Sequence, residues 1–427
     1  MEIFLIIASG FLLGMANGMG DIIRDCSLTC NVGYQFVPVP LMTIAFLTVP
    51  VAATQVRMQA KASAARWQIM TTIAAGLFFA CFRFLTYKLF QAEEFSRGDA
   101  GRHEFWLETI RSTYIVYFVA LELVFVLLWA NLFVRVGHLF SGPDTARGMR
   151  YAAASIMAGG LFGSWFSGAA APLLMDGLGG RFESIRDHFM FVIAGAIFLD
   201  LPLVIAAERR FLAGTAASPD VEKKKLTWSE SWNWIRTDRK IARLAPLFFA
   251  AGASLVILDY FFYWIIGEQG ESSATGFVEF FSNFYIYLYS FSLIVLSFGA
   301  ERIIRKFGLL SALLVLPLAL FFGAAIFLFY KLLAVIYIVQ IMKEGLSDSL
   351  HEAAAEKLLA RVEPDRLGAI KLLLDGVVTR AGVVFAAGAI ILMTFVLGLP
   401  EIWTAGILLV TVTVWIASTL AVRQNVL

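Results

Sequence analysis

Charge is scarce in this chain. Only 15% of its 427 residues are charged, against roughly a quarter in soluble domains, which excludes an ordinary water-soluble globule. Histidine is scarcer still: His103, His138, His188 and His351 are the whole complement. His351-Glu352 continues as AAAEK, so no HExxH zinc pair forms. No metal-ligand cluster, nucleophile triad or phosphate-cradling glycine loop stands out, so neither an enzyme nor a metal or other cofactor is expected. The three cysteines, Cys26, Cys30 and Cys81, are too few for a disulfide framework. Cys26 and Cys30 lie one helical turn apart and read as free thiols. The net charge of +2 marks no nucleic-acid partner, because the basic residues sit in short connections. The opening MEIFLIIASGFLLGMANGMG lacks a basic leader and a clean cleavage site, and reads as a retained first span rather than a signal peptide.

Apolar residues are abundant, at 59%, with a mean hydropathy of +0.78. Runs of about 20 apolar residues recur along the chain, each long enough to cross a bilayer as a helix. They predict spans near 3–31, 36–56, 66–89, 109–136, 150–172, 188–208, 242–266, 276–299, 309–329, 332–350, 369–397 and 402–422, twelve in all. The connections at 57–66, 137–150, 209–243, 301–308 and 351–368 are basic. That at 90–108 is net acidic, and 267–273 and 398–401 hold no basic residue. By the positive-inside rule both termini are expected to be cytoplasmic.

The longest connection, 209–241, separates a six-helix half at 1–208 from another at 242–427. Within it KKKLTWSESWNWIR can form a short surface helix bearing Trp228, Trp232 and Trp234. IIRD (22–25) in helix 1 is echoed by ILDY (257–260) at the matching place in helix 7. Six plus six helices joined by a basic linker resembles the layout of major facilitator transporters. The expected fold is therefore an all-α polytopic membrane protein, a twelve-helix pseudo-symmetric bundle of that type. A channel, sensor or assembly subunit with twelve helices is the alternative. The glycine-rich charged loop common between helices 2 and 3 of facilitators is replaced here by QVRMQAKASAARW.

Some charges fall inside the spans, where each costs about 2.5–3.5 kcal/mol near the bilayer centre. Asp21 and Asp25 share a helix face at i, i+4, and Arg24 reaches Asp21 at i, i+3. Such a cluster is expected to face a watery cavity between the halves. Arg83, Glu122, Asp200, Asp259, Glu279, Lys343, Glu344, Lys371, Asp375 and Arg380 lie at similar depth, with Arg111 at the outer mouth of helix 4. Each has a structural alternative: buried Asp–Arg pairs lock helices, Asp200 before Leu201-Pro202 caps a kink, and Glu279 and Glu344 are solvated at helix ends. Taken as a set, they are more than packing needs. Gly10, Gly14 and Gly18, with Gly159 and Gly163, read as close helix packing. The aromatics at 260–264 and in NFYIYLYSF (283–291) either stack on a ligand or face lipid.

Four segments carry a resemblance to a known family. IIRDCS (22–27), YIVYFVALELVFVLLWANLF (114–133), the 282–320 region and DSLHEAAAEKLLARVEPDRLGAIKLLLDGVVTRAG (348–382) are similar to the ATP/ADP translocases of plastids and intracellular bacteria and their bacterial relatives, a branch of the major facilitator superfamily. The resemblance implies nucleotide exchange by alternating access. It places Arg24, Asp25, Glu122, Lys371, Asp375 and Arg380 on family positions. The lysine that closes the family's helix 1 run is Ser27 here, and that lysine is among the family's substrate-binding charges; Arg83 is a candidate to replace it.

The expectation is a secondary transporter for an anionic or amphipathic organic solute, with a lipid bilayer around it and a counter-substrate or proton as coupling partner. Its binding residues would be Arg24, Asp25, Arg83, Glu122, Asp259, Lys371, Asp375 and Arg380. Arg24, Lys371 and Arg380 would hold the anion, while Glu122 and Asp25 orient them or take a proton. A proton-driven exporter of a metabolite such as a siderophore is the alternative within transport. A non-transporting subunit, receptor or lipid scramblase on the same fold is the alternative outside it.

Overall fold

The computed structural model describes all residues except 62–63, 97–99, 141–142, 178–181, 215–238, 270–273, 331, 363–369, 371–372, 401 and 426–427. The proposed Trp-bearing surface helix and Lys371 fall outside the described residues. What is described is helical, as lipid requires of a chain that must satisfy its own backbone donors and acceptors. In chain order the helices are α1 (Glu2–Ser27), α2 (Pro38–Lys61), α3 (Ala64–Ser96), α4 (Ala100–Leu139), α5 (Pro143–Gly177), α6 (Phe182–Gly214) and α7 (Arg239–Gln269). They continue as α8 (Ala274–Ile294), α9 (Ala300–Phe307), α10 (Leu309–Tyr330), α11 (Leu333–Leu346), α12 (Glu352–Val362), α13 (Arg380–Ile391) and α14 (Ile402–Asn425).

Ten of the twelve expected spans are, among the described residues, long and apolar enough to cross a membrane. The other two correspond to α5 and α11. α5 is 35 residues long, but glycine and serine dilute its hydropathy. α11 has 14 residues before its winding changes.

The chain forms two compact units. One comprises Met1–Gly33, Pro50–Pro219 and Gly270–Leu293, and the other Tyr34–Val49, Asp220–Gln269 and Ile294–Leu427. α2 passes from one unit to the other at Pro50, an internal proline that removes a helical hydrogen bond. In the first unit α1 is central, packed on α5, α6 and α4. In the second, α7 holds the same place against α14 and α13.

Glycines set both central crossings. A Cβ on Gly14 would collide with the Ile156 carbonyl of α5, and one on Gly159 with the Phe11 carbonyl of α1. In the second unit, Gly252 of α7 meets the Thr379 carbonyl and Gly382 of α13 meets that of Phe249 in the same way. The close packing read from the small-residue spacing is therefore present. These two crossings fix the helices that carry the membrane charges.

The winding changes at several points along the chain. α1 runs on into a π-helical turn at Leu28–Val32, ended by Gly33 at φ 91, a left-handed conformation that suits glycine. α11 passes into a π turn at Ser347–His351, and Asp375 lies inside a third, Leu374–Thr379, which leads into α13. Such π turns concentrate at functional sites.

Candidate functional site

The i, i+4 spacing of Asn17, Asp21 and Asp25 places them on one face of α1. Tyr285 and Tyr289 have the same spacing on α8, and the two rows mesh antiparallel. The Tyr285 hydroxyl donates to Asp25 Oδ2 at 2.6 Å, and the Tyr289 hydroxyl to Asp21 Oδ2 at 3.2 Å. Asn17 Nδ2 donates to Asp21 Oδ2 at 2.8 Å and to the Tyr289 oxygen at 3.1 Å.

Arg24 is the centre of this network. Its Nε donates to Asp25 Oδ1 at 2.7 Å, its Nη2 to the Tyr285 oxygen at 2.9 Å, and its Nη1 lies 3.0 Å from Asp21 Oδ1. The same Nη1 donates to Glu122 of α4. The Phe118 ring, one turn before Glu122, lies under the guanidinium with its centroid 4.8 Å from Cζ, a cation–π contact. Asp25 is 1% exposed and the Arg24 side chain 11%, whereas the Glu122 side chain is 35% exposed. Glu122 is thus the accessible member of an otherwise enclosed set. Ser27 is buried, and its hydroxyl has no hydrogen-bond partner among the described residues.

The other candidates are placed as follows. Asp259 of α7 accepts from Lys343 Nζ of α11 at 2.5 Å and from Gln340 Nε2 at 2.6 Å, and Lys343 Nζ also donates to Glu344 Oε1 at 2.6 Å. Asp375 and Arg380 are half-buried at the π turn before α13. Arg83 sits on α3 with its Cζ 4.2 Å from the ring centroid of Phe191 and 5.5 Å from that of Phe84. Both rings are exposed, and no described contact joins Arg83 to the Arg24 network.

Sequence reasoning missed several partners. Asn17 is absent from the expected site, and Tyr285 and Tyr289 enter it only as ligand-stacking or lipid-facing aromatics of 283–291, not as hydrogen-bond partners; the signal for that role is their i, i+4 spacing, matched to that of the aspartates. Arg135 was not singled out at all. It pairs with Asp200, Nη2 to Oδ2 at 3.2 Å, and donates from Nη1 to the Ser9 hydroxyl at 2.8 Å. Ser9 in turn donates to Asp200. Asp200 therefore joins α6 to α4 and α1, the helix-locking role, rather than capping the kink at Pro202.

No protein-family model matches the chain, and no curated protein matches it in sequence. Solved structures do share its architecture. A variant of the nucleoside transporter NupG superposes with a TM-score of 0.60 at 12% identity, covering 99% of each chain. A bacterial homologue of the iron transporter ferroportin gives 0.58 at 15% identity, over 98% of this chain and 100% of that one. The Escherichia coli fucose:proton symporter FucP gives 0.52 at 14% identity, over 99% and 98%. The fold is of the major facilitator type. Identities this low establish the fold alone.

Proposed function

We propose that this protein is a secondary transporter, working by alternating access, that moves an anionic or amphipathic organic solute bound at Arg24. The observation that carries this is the Arg24–Glu122 pair. A guanidinium fork suited to carboxylate or phosphate is closed by one accessible carboxylate, while Asp21, Asp25 and Tyr285 hold its other edges. An anionic group of the solute displaces Glu122 and takes its place on Nη1. The displaced carboxylate is then solvated or protonated. Phe118, Tyr285 and Tyr289 offer aromatic surface for the rest of the solute. The facilitator fold, shared with proteins described as transporters of nucleosides, fucose and iron, supports transport as the activity. The resemblance to ATP/ADP translocases makes nucleotides the first solutes to examine.

The test is binding by purified protein, read as thermal stabilisation by a panel of nucleotides, organic phosphates and carboxylates. A ligand that binds the folded state at a hundred times its Kd stabilises it by about 2.7 kcal/mol. The reading predicts stabilisation by at least one anion, lost in Arg24→Ala and retained in a variant remote from the site. Stabilisation of Arg24→Ala by the same anions as the wild type removes Arg24 as the binding group. No response to any solute, from protein shown to be folded, favours a non-transporting subunit or scramblase.

A further inference from the structure

Arg83 is a membrane-depth guanidinium that the site described above does not use. It lies on α3, half-buried, and among the described residues no carboxylate pairs with it. Its Nε is buried with no hydrogen-bond partner, so the two Nη atoms are its accessible end. What seats the charge is aromatic. Cζ stands 4.2 Å from the ring centroid of Phe191 on α6 and 5.5 Å from that of Phe84, both within cation–π range.

The surface around it is apolar and open. Phe84 is 57% exposed, Leu85 50% and Phe191 42%. α3 and α6 are both long and apolar enough to cross a membrane, and an exposed apolar patch on such helices is a face turned to lipid. Arg83 lies six residues before Leu89, the last residue of the α3 span, and Phe191 three residues after His188, the first of the α6 span. At a rise of 1.5 Å per residue, the two positions are about 5–9 Å inside the end of each span. A long arginine side chain covers that distance by snorkelling towards the interface. The layer it reaches is that of the lipid glycerol and phosphate groups.

A lone cation on a lipid-facing surface is costly, and two ring faces offset only part of the cost. A phosphate diester supplies the missing charge, and its paired oxygens match the planar guanidinium fork. The exposed rings decide the source of that phosphate. A free, hydrated phosphate would lose water against Phe84 and Phe191, whereas a phospholipid carries its phosphate at this depth and lays acyl chain on the rings. A second cation decides the headgroup. Lys88, one turn beyond Phe84, is exposed, with Nζ 5.9 Å from the Tyr87 ring centroid. A zwitterionic headgroup brings an ammonium of its own to two cations; an anionic headgroup does not.

We propose that Arg83, seated between Phe191 and Phe84, binds one anionic phospholipid of the surrounding bilayer. The lipid phosphate lies on the Nη atoms, and the two rings pack on the glycerol and the upper acyl chain. The site is independent of the Arg24 reading, since no described contact joins the two.

The experiment is native mass spectrometry of the purified full chain, released from detergent with phosphatidylglycerol or phosphatidylethanolamine added in steps. The proposal predicts that the first phosphatidylglycerol binds the wild type more tightly than the first phosphatidylethanolamine does. Arg83→Gln weakens that first phosphatidylglycerol by at least roughly tenfold, a change of about 1.4 kcal/mol. Arg209→Gln, which removes an exposed charge at the other end of α6, leaves it unchanged. Phe191→Leu keeps the charge but removes a ring, and lowers the affinity less than Arg83→Gln; it carries the comparison if Arg83→Gln fails to fold. Thermal denaturation gives a second reading: phosphatidylglycerol raises the melting temperature of the wild type and of Arg209→Gln, and not that of Arg83→Gln. Equal phosphatidylglycerol binding by wild type and Arg83→Gln overturns the proposal. Displacement of the lipid by inorganic phosphate also overturns it, and makes Arg83 a site for a soluble phosphate instead.

Discussion

Lys343 of α11 donates to Asp259 of α7 across 84 residues of sequence, and Arg24 of α1 donates to Glu122 of α4 across 98. α1 and α4 are the first and fourth spans of the chain, and α7 and α11 correspond to the expected seventh and tenth. The same two places in the order of helices are thus joined twice by an ion pair, with the sign reversed. The central helix carries the cation in one unit and the anion in the other. In each case the partner row has a carboxylate about one-third exposed, Glu122 or Glu344. The first cluster centres on a guanidinium held by carboxylates, the second on an ammonium between two carboxylates.

Arg24→Lys tests the guanidinium separately from its charge. A lysine keeps the positive charge but cannot bridge Asp25, Tyr285 and Glu122 at once. The expected result is folded protein whose anion binding falls at least about tenfold, or about 1.4 kcal/mol, measured by the same thermal shift as the wild type. Binding at the wild-type level would mean that charge alone suffices.

Tyr285→Phe removes a hydroxyl that accepts from Arg24 and donates to Asp25. Its loss leaves two buried charged groups short of a hydrogen bond, which costs about 1–3 kcal/mol. The melting temperature should fall, and Tyr289→Phe should cost less, because its bond to Asp21 is longer, 3.2 against 2.6 Å. Equal melting temperatures for all three proteins would show that the two hydroxyls do not bear on the network.

Asp200→Asn leaves Arg135 buried without its counter-ion. Breaking one side of a buried pair costs about 3–5 kcal/mol, whereas replacing both partners with apolar residues is often neutral. Asp200→Asn should therefore lose most of its folded yield on size-exclusion chromatography, and Asp200→Leu combined with Arg135→Met should recover it. A double variant worse than the single would instead assign the pair a role beyond joining α4, α6 and α1.

Gly14→Leu sets a bulky side chain against the Ile156 carbonyl, and the α1–α5 crossing cannot open without moving the whole charged face. Overpacking of this kind costs about 1–3 kcal/mol or more, so folded protein should be lost. Gly388→Ala in α13 is the control, because nothing lies within 4 Å of the added carbon. It should raise stability by up to about 1 kcal/mol, the helix-propensity difference. Thermal denaturation of the two variants separates close packing from a general sensitivity to glycine replacement.

The helices were legible because lipid imposes a simple rule, about 20 apolar residues for each crossing, and ten of the twelve stretches meet it in the structure. The charges were legible for the same reason: Asp21, Arg24 and Glu122 stand out against apolar neighbours. Their partners were not. Asn17 has no charge to mark it, Tyr285 and Tyr289 stand out only as members of an aromatic run, and only the fold brings their hydroxyls to Asp25 and Asp21. The pairing of Arg135 with Asp200 depends on a three-helix contact over 65 residues of sequence. The π turns after Arg24-Asp25 and Lys343-Glu344 leave no mark in hydropathy, since a π turn differs from an α turn by one residue of winding. Arg83 had the right depth but lies over the outward-facing ring of Phe191, and depth along a helix does not report which face a residue occupies.

The most direct measurement is flux. Purified protein is reconstituted into proteoliposomes loaded with the anion that stabilises it best, and uptake of the labelled anion is followed beside Arg24→Ala and Gly388→Ala. The account predicts uptake by the wild type and Gly388→Ala and none above empty liposomes by Arg24→Ala, with all three shown to be folded. Uptake by Arg24→Ala at the wild-type rate would contradict it and place the solute elsewhere in the bundle.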